Sequence, residues 1–186
     1  MTKKIALIFD TDKGEHIANI TSSVAKNLNY EVLTFDARTH VLKACTGCFN
    51  CWVKTPGFCS QKDSHPYLKQ IFDSKYIMYI SKITFGGFSS NVKAHMERME
   101  PLSHPFFTKR NGEMHHISRY KSKPHFLSVG FDAFSQKAED TFLELTKRNC
   151  INCSINKKTN VTNNTLIYKD SDENLTSWIK PFLEAE

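Results

Sequence analysis

The sequence predicts an α/β fold: one five-stranded parallel β-sheet in a three-layer sandwich, with helices on both faces. Three observations carry this. Short, nearly continuous apolar runs recur at 4–9, 76–81 and 125–130, the pattern of strands buried on both faces. Stretches with apolar residues every three or four positions stand between them. Strand and helix alternate five times along the chain, the order that builds a parallel sheet with crossover helices. At 186 residues, 40% apolar and 24% charged, the chain suits one ordinary globular domain spanning 1–186.

Lys4 to Phe9 reads as the first strand. Residues 10–14, Asp-Thr-Asp-Lys-Gly, read as a turn, followed by a helix with Ile17, Ile20, Val24, Ala25 and Leu28 inward. Residues 31–35 give the second strand, and a long cysteine-bearing loop then interrupts the alternation; loops of that length inside a compact domain are often functional. A helix opens at Ser64, with Pro66 in its first turn and Leu68, Ile71 and Phe72 inward. The third strand is 76–81, and after a glycine-bearing turn Ser89 or Ser90 caps a helix over 91–100. Residues 101–123 show no clear period and read as an irregular insertion. The fourth strand is 125–130, followed by a helix over 135–149 with Ala138, Phe142 and Leu145 inward. Residues 150–160 read as irregular, 161–168 as the fifth strand, and Asp172 caps a last helix carrying Leu175, Trp178, Ile179, Phe182 and Leu183.

Composition narrows the function classes. No apolar run approaches the roughly 20 residues of a membrane span, and Ile5 to Phe9 is too short for a signal-peptide core, so no membrane association and a cytoplasmic setting are expected. The net charge of +6 comes from scattered lysines and arginines without a basic run, which argues against nucleic acid and is compatible with a phosphate-bearing cofactor. In a reducing compartment six cysteines point to metal, cluster or redox roles, or to buried small apolar side chains.

Four cysteines, Cys45, Cys48, Cys51 and Cys59, form a C-x2-C-x2-C-x7-C stretch. A four-iron cluster, a zinc site and a packed metal-free loop all accept this arrangement. Cys150 and Cys153 form a separate pair at the end of a helical pattern, where a structural role fits better than a redox one. His104, His115 and His116 read as solvated surface histidines, and Trp52 as a packing residue. No Ser-His-Asp set or carboxylate pair stands out, so no catalytic residue is assigned. In a sheet of this type ligands bind beyond the carboxyl ends of the strands, which singles out loops 10–16, 82–90 and 130–135 and the cysteine loop.

The segment Cys45-Thr-Gly-Cys-Phe-Asn-Cys-Trp-Val-Lys-Thr-Pro-Gly-Phe-Cys59, followed by Lys62-Asp63, and the segment Ser81-Lys-Ile-Thr-Phe-Gly-Gly-Phe-Ser89 with Lys93-Ala94 and Glu97-Arg98 together resemble the flavodoxin-like NAD(P)H-dependent FMN reductases and iron-sulfur flavoproteins. The resemblance implies a flavodoxin-like sheet of order 2-1-3-4-5, FMN as cofactor, NAD(P)H as electron donor, a small-molecule acceptor such as a flavin or quinone, and a homodimer or higher homo-oligomer. Carried onto this sequence, it assigns the cofactor to Thr11, Lys13, Gly14, His16, Ile83, Thr84, Phe85, Gly86, Gly87, Phe88, Ser89 and Gly130. An iron-sulfur cluster, if present, falls to Cys45, Cys48, Cys51 and Cys59. The first loop departs from the family's small polar pattern. A helix start binds phosphate through its N–H groups, but Asp10, Asp12 and Glu15 oppose a dianion, with Lys13, His16 and Lys82 as the available positive charge. Two other classes therefore stand beside the FMN-dependent oxidoreductase: an iron-sulfur flavoprotein-type electron carrier, and a flavodoxin-like binding module that has lost FMN.

Overall fold

The computed structural model describes residues 3–110, 112–120, 124–153 and 164–185, with the side chains of 64–66 and 153 left aside. Five parallel strands form the central sheet: β1 (Lys4–Phe9), β2 (Glu31–Asp36), β3 (Tyr76–Lys82), β6 (His125–Phe131) and β7 (Thr165–Ile167). Their order is β2-β1-β3-β6-β7, which is 2-1-3-4-5 for the parallel strands, as expected. The register is continuous across the middle of the sheet, with Ile8 opposite Tyr79 and Ser81 opposite Gly130.

Alternation along the buried strands supplies two cores. Ile5, Leu7, Met78, Ile80, Leu127 and Val129 face α1 (Asp12–Asn27) and α6 (Asp172–Glu184). Beyond the four-residue α2 (Asn50–Val53) of the cysteine loop, Ala6, Ile8, Ile77, Tyr79 and Phe126 face α3 (His65–Phe72), α4 (Ser90–Glu97) and α5 (Gln136–Cys153). Each strand's successive side chains thus enter opposite layers, which is why these strands read as unbroken apolar runs. The expected inward residues Ile17, Ala25, Leu68, Ile71, Ala138, Phe142, Leu175, Ile179 and Leu183 are buried. Leu145 is 37% exposed, because α5 turns it toward a cavity rather than the sheet.

Several boundaries differ from expectation. Helix α1 begins at Asp12, inside the stretch expected as a turn, because the Thr11 hydroxyl caps it by accepting from Gly14 N–H. Helix α5 runs to Cys153, so Cys150 lies within a helix, buried, with its thiol on the Phe126 carbonyl. Residues 154–160 and the first part of the expected fifth strand, 161–163, lie outside the described residues.

The expected irregular insertion contains an antiparallel hairpin, β4 (Ser103–Arg110) with β5 (Glu113–Ser118), bulged between Ser103 and Phe107. Arg110 anchors it by donating to the carbonyls of Ile151 and Asn152 in the last turn of α5, where helix carbonyls lack intrahelical partners. The neighbouring histidines are less exposed than expected. His115 is buried, hydrogen-bonded to Asn152 at 3.2 Å and 3.3 Å from Glu113. The His116 ring lies between Trp52 and Phe107, at 4.7 and 4.8 Å. His104 is half-buried.

Candidate functional site at the carboxyl edge of the sheet

The carboxyl ends of β1, β3, β6 and β7 bring loops 10–12, 83–89, 131–135 and 168–171 to one edge. A tight turn dominates it. Thr84 and Gly87 exchange both backbone hydrogen bonds at 2.9 Å, and the two residues between them, Phe85 and Gly86, have φ of 50° and 78°, the hand that suits a two-residue hairpin turn. A side chain at Gly86 would also place Cβ 2.6 Å from Thr141, so the turn lies directly on α5. Its geometry pushes Phe85 outward, 89% exposed, 6.3 Å from the ring of Phe134, itself 74% exposed. The two exposed rings stand edge-to-face, at 64° to one another, so the edge presents a single open aromatic face on which a planar ring could stack.

The expected cofactor residues divide into two groups. Thr84, Phe85, Gly86 and Gly87 form this exposed turn. Ile83 and Phe88 are buried, Phe88 against Tyr79 and Phe142. Gly130 is a packing glycine: a Cβ there would stand 2.6 Å from Phe142 and 2.8 Å from Ile83. Ser89 precedes α4 but makes no side-chain cap. Its hydroxyl donates to the Asp10 carboxylate, and its N–H donates to Ser81 Oγ at 2.8 Å.

At the start of α1, the Thr11 hydroxyl is taken by Gly14 N–H at 3.0 Å, and Gly14 is buried, where a Cβ would crowd Phe9 at 3.1 Å. Lys13 Nζ stands 2.7 Å from both Asp132 and Asp170. The Asp132 hydrogen bond, then that of Asp170, holds its pKa above the ordinary lysine value. His16 faces Asp172 at 3.2 Å. Arg38, just beyond β2, reaches across to Asp12, to Glu15 at 2.9 Å and to Asp36 at 2.7 Å. Asp10 is 9% exposed, and its second carboxylate oxygen, Oδ1, is buried without a hydrogen-bond partner. The residues assigned to the FMN phosphate by resemblance are therefore engaged with carboxylates or packing. The edge offers a surface for a flavin ring, but its first loop does not fit a phosphate monoester.

The four cysteines of the long loop line one small cavity, about 20 Å³, beside Arg98 and Glu100. Cys48 is exposed and the other three are half-buried. Hydrogen bonding from Asn50 N–H, then Ser60, lowers the Cys48 thiol pKa, whereas burial, then Cys59, pushes Cys51 up to about 11. Among the described residues no three His, Cys, Asp or Glu side chains are grouped so as to hold a metal ion. Arg98 organises the loop instead. Its side chain is fully buried and donates to the carbonyls of Lys43 and Gln61 and to both oxygens of Asp63. Trp52 packs on Phe49 and His116 and donates to the Glu100 carbonyl.

A second cavity, about 300 Å³, opens behind Gly87 and Phe88 and is walled by Met96, Met99, Phe126 and Leu145, with His116 and Asn149 among its polar groups. Its size and apolar lining suit a small ligand.

Solved structures with this arrangement decide the fold. A Streptococcus mutans UA159 protein superposes with a TM-score of 0.55 at 10% identity, covering 97% of this chain and 98% of that one. An FMN-dependent NADH-azoreductase from Bacillus anthracis, solved in complex with FMN, gives 0.53 at 9% identity, covering 98% and 96%. FerB from Paracoccus denitrificans, a flavoenzyme NAD(P)H:(acceptor) oxidoreductase, gives 0.53 at 11% identity, covering 98% and 96%. The fold is flavodoxin-like. No family model matches the sequence, and no curated protein matches it. At these identities the likeness speaks for the flavodoxin-like architecture, and chemistry has to be argued from the edge itself.

Of the residues that shape that edge, the sequence placed Asp132 and Phe134 in the loop 130–135 that it singled out, without the Lys13 and Phe85 contacts they make, and it did not point to Arg38 or Asp170. Asp132 directly follows β6 and Asp170 comes three residues after β7, so their positions beyond carboxyl ends were a usable signal. Arg38 carried none, because its partners Asp12 and Glu15 lie more than 20 positions earlier.

Proposed function

We propose that this chain is a flavin-using oxidoreductase that oxidises NAD(P)H and reduces a small acceptor. The observation that carries the reading is the exposed Phe85–Phe134 pair at the carboxyl edge of a flavodoxin-like sheet. Support also comes from flavodoxin-like neighbours whose names specify FMN and NAD(P)H. A bound flavin supplies hydride acceptance and electron delivery. The chain supplies the ring platform, the rigid turn that aims Phe85, and a cavity beside that turn with room for a small acceptor. Because the first loop lacks a phosphate cradle, the flavin is an exchangeable partner rather than a permanently held group. The homo-oligomer implied by the resemblance belongs to the same proposal, supported by the exposed Phe106, Phe107 and Met114 on the β4–β5 hairpin.

The test is NAD(P)H oxidation by purified protein with and without added free flavin, alongside the visible spectrum of protein prepared without oxygen. Oxidation that requires added flavin and saturates with it is the expected result. Protein that neither takes up flavin nor accelerates oxidation would favour the second reading, a binding module without flavin, for which the carboxylate-filled first loop is the supporting observation.

A further inference from the structure

Resting on that reading, we propose that the flavin received at this edge is the unphosphorylated one, of the riboflavin class, and that Asp10 occupies the anion position at the start of α1. Three features of this chain lead there. First, the amino end of a helix beside strand ends is the natural place for an anion. Here a carboxylate is already buried next to it. Asp10 accepts from Ser89 Oγ through Oδ2, and its buried Oδ1 has no partner. A dianion brought beside it would meet an unneutralised negative charge.

Second, Lys13 and Arg38, the cations nearest the start of α1, are committed. Lys13 bridges Asp132 and Asp170, with its ammonium 5.7 Å from the ring centroids of both Phe131 and Tyr168. Arg38 is shared among Asp12, Glu15 and Asp36, and His16 lies against Asp172. A phosphate would have to strip these groups from carboxylates that then stand bare beside it. Lys82 adds one flexible ammonium, exposed at the end of β3, a point charge without the fixed fork geometry that grips a phosphate. Third, the part of the edge that is open is aromatic and uncharged, at Phe85 and Phe134. A neutral ring system with a hydroxylated chain satisfies it, and the hydroxyls of that chain are donors suited to carboxylate acceptors.

The test is a pair of fluorescence-quenching titrations of the wild-type protein, with riboflavin and with FMN, at about 20 mM and about 300 mM salt. Riboflavin is expected to bind at least as tightly as FMN at low salt. The FMN Kd is expected to fall several-fold at high salt, because screening weakens a repulsion, while the riboflavin Kd stays level. The double variant Asp12→Asn with Glu15→Gln removes two exposed acids and leaves Arg38 paired with Asp36 alone. It is expected to tighten FMN roughly tenfold, a change of about 1.4 kcal/mol, and to leave riboflavin unchanged. FMN binding more than threefold tighter than riboflavin at low salt, and weakening as salt rises, would overturn the inference while leaving the flavin reading intact. Quenching of neither flavin would overturn the flavin reading, and this inference with it.

Discussion

His95 offers a prediction whose sign and size follow from its surroundings. The residue sits on α4 and is 1% exposed. Its Nε2 lies 2.8 Å from the His40 carbonyl, and its Nδ1 is hydrogen-bonded to the Tyr67 hydroxyl. A neutral ring satisfies both contacts, with Nε2–H donating to the carbonyl and Nδ1 accepting from Tyr67. Burial above all opposes a charge there, with His40 and Arg98 adding repulsion, and lowers the pKa from 6.5 to about 4. Between those values the unfolded chain takes up a proton that the folded chain refuses, so stability falls as pH drops through this window. At about 1.4 kcal/mol per unit, the loss is about 2 kcal/mol at pH 5 and about 3 kcal/mol at pH 4. Burial also lowers His125, which adds in the same direction. The assays are NMR titration of the histidine rings and urea unfolding at pH 7 and pH 5, for wild type and His95→Gln. The His95 ring is expected to stay neutral at pH 5, and the variant to lose less than half as much stability over that interval as wild type. A His95 midpoint near 6.5, or identical pH slopes in the two proteins, would refute the reasoning.

Other perturbations test the scaffold around the edge. Asp63→Asn leaves the buried Arg98 guanidinium without its counter-charge; a loss of about 3 kcal/mol and of roughly 6–12 °C in Tm is expected by urea and thermal unfolding, and a loss under about 0.5 kcal/mol would contradict the pair's role. The same carboxylate is held below its usual range by Arg98, so its contribution is present above pH 3.8 and disappears as acid protonates it below that, a loss the Asn variant should not show. Gly130→Ala forces a methyl against Phe142 and Ile83 and should destabilise by about 1–3 kcal/mol, measured the same way. Alkylation with iodoacetamide, followed by peptide mass spectrometry, should modify Cys48 first and Cys51 and Cys150 last; early modification of Cys51 would overturn the assigned thiol environments.

The parallel sheet was legible because burial on both faces leaves an unbroken apolar run, as in Ile5–Phe9 and Tyr76–Ile80. The hairpin was not. Phe106 and Phe107 are adjacent and both exposed, Pro105 interrupts the run, and the strands are anchored by side-chain bonds such as Arg110 to the end of α5 rather than by an alternating buried face. The 84–87 turn was legible from Gly86 and Gly87, but the companion ring, Phe134, comes from a loop about 50 positions later and is brought there only by the β3–β6 pairing. The acidity of the first loop was visible in Asp10, Asp12 and Glu15. That Arg38 pairs with Asp12 and Glu15, while Lys13 is drawn away to Asp132 and Asp170, was not visible, since these pairs are made by the sheet order and not by the local sequence. The cysteine spacing likewise showed four thiols together, while the buried cation that organises their loop, Arg98, lies on α4's carboxyl end.

Flavin binding at this edge requires the ring to meet Phe85. Titrating riboflavin with wild-type protein and with Phe85→Ala, following flavin fluorescence, tests it most directly. Phe85 is 89% exposed, so its truncation leaves the core untouched. An aromatic stacked on a planar heterocycle is worth about 1–3 kcal/mol, so saturable quenching by wild type and a Kd weaker by roughly five- to a hundredfold in the variant are predicted; equal Kd values, or no quenching by wild type, would contradict the account.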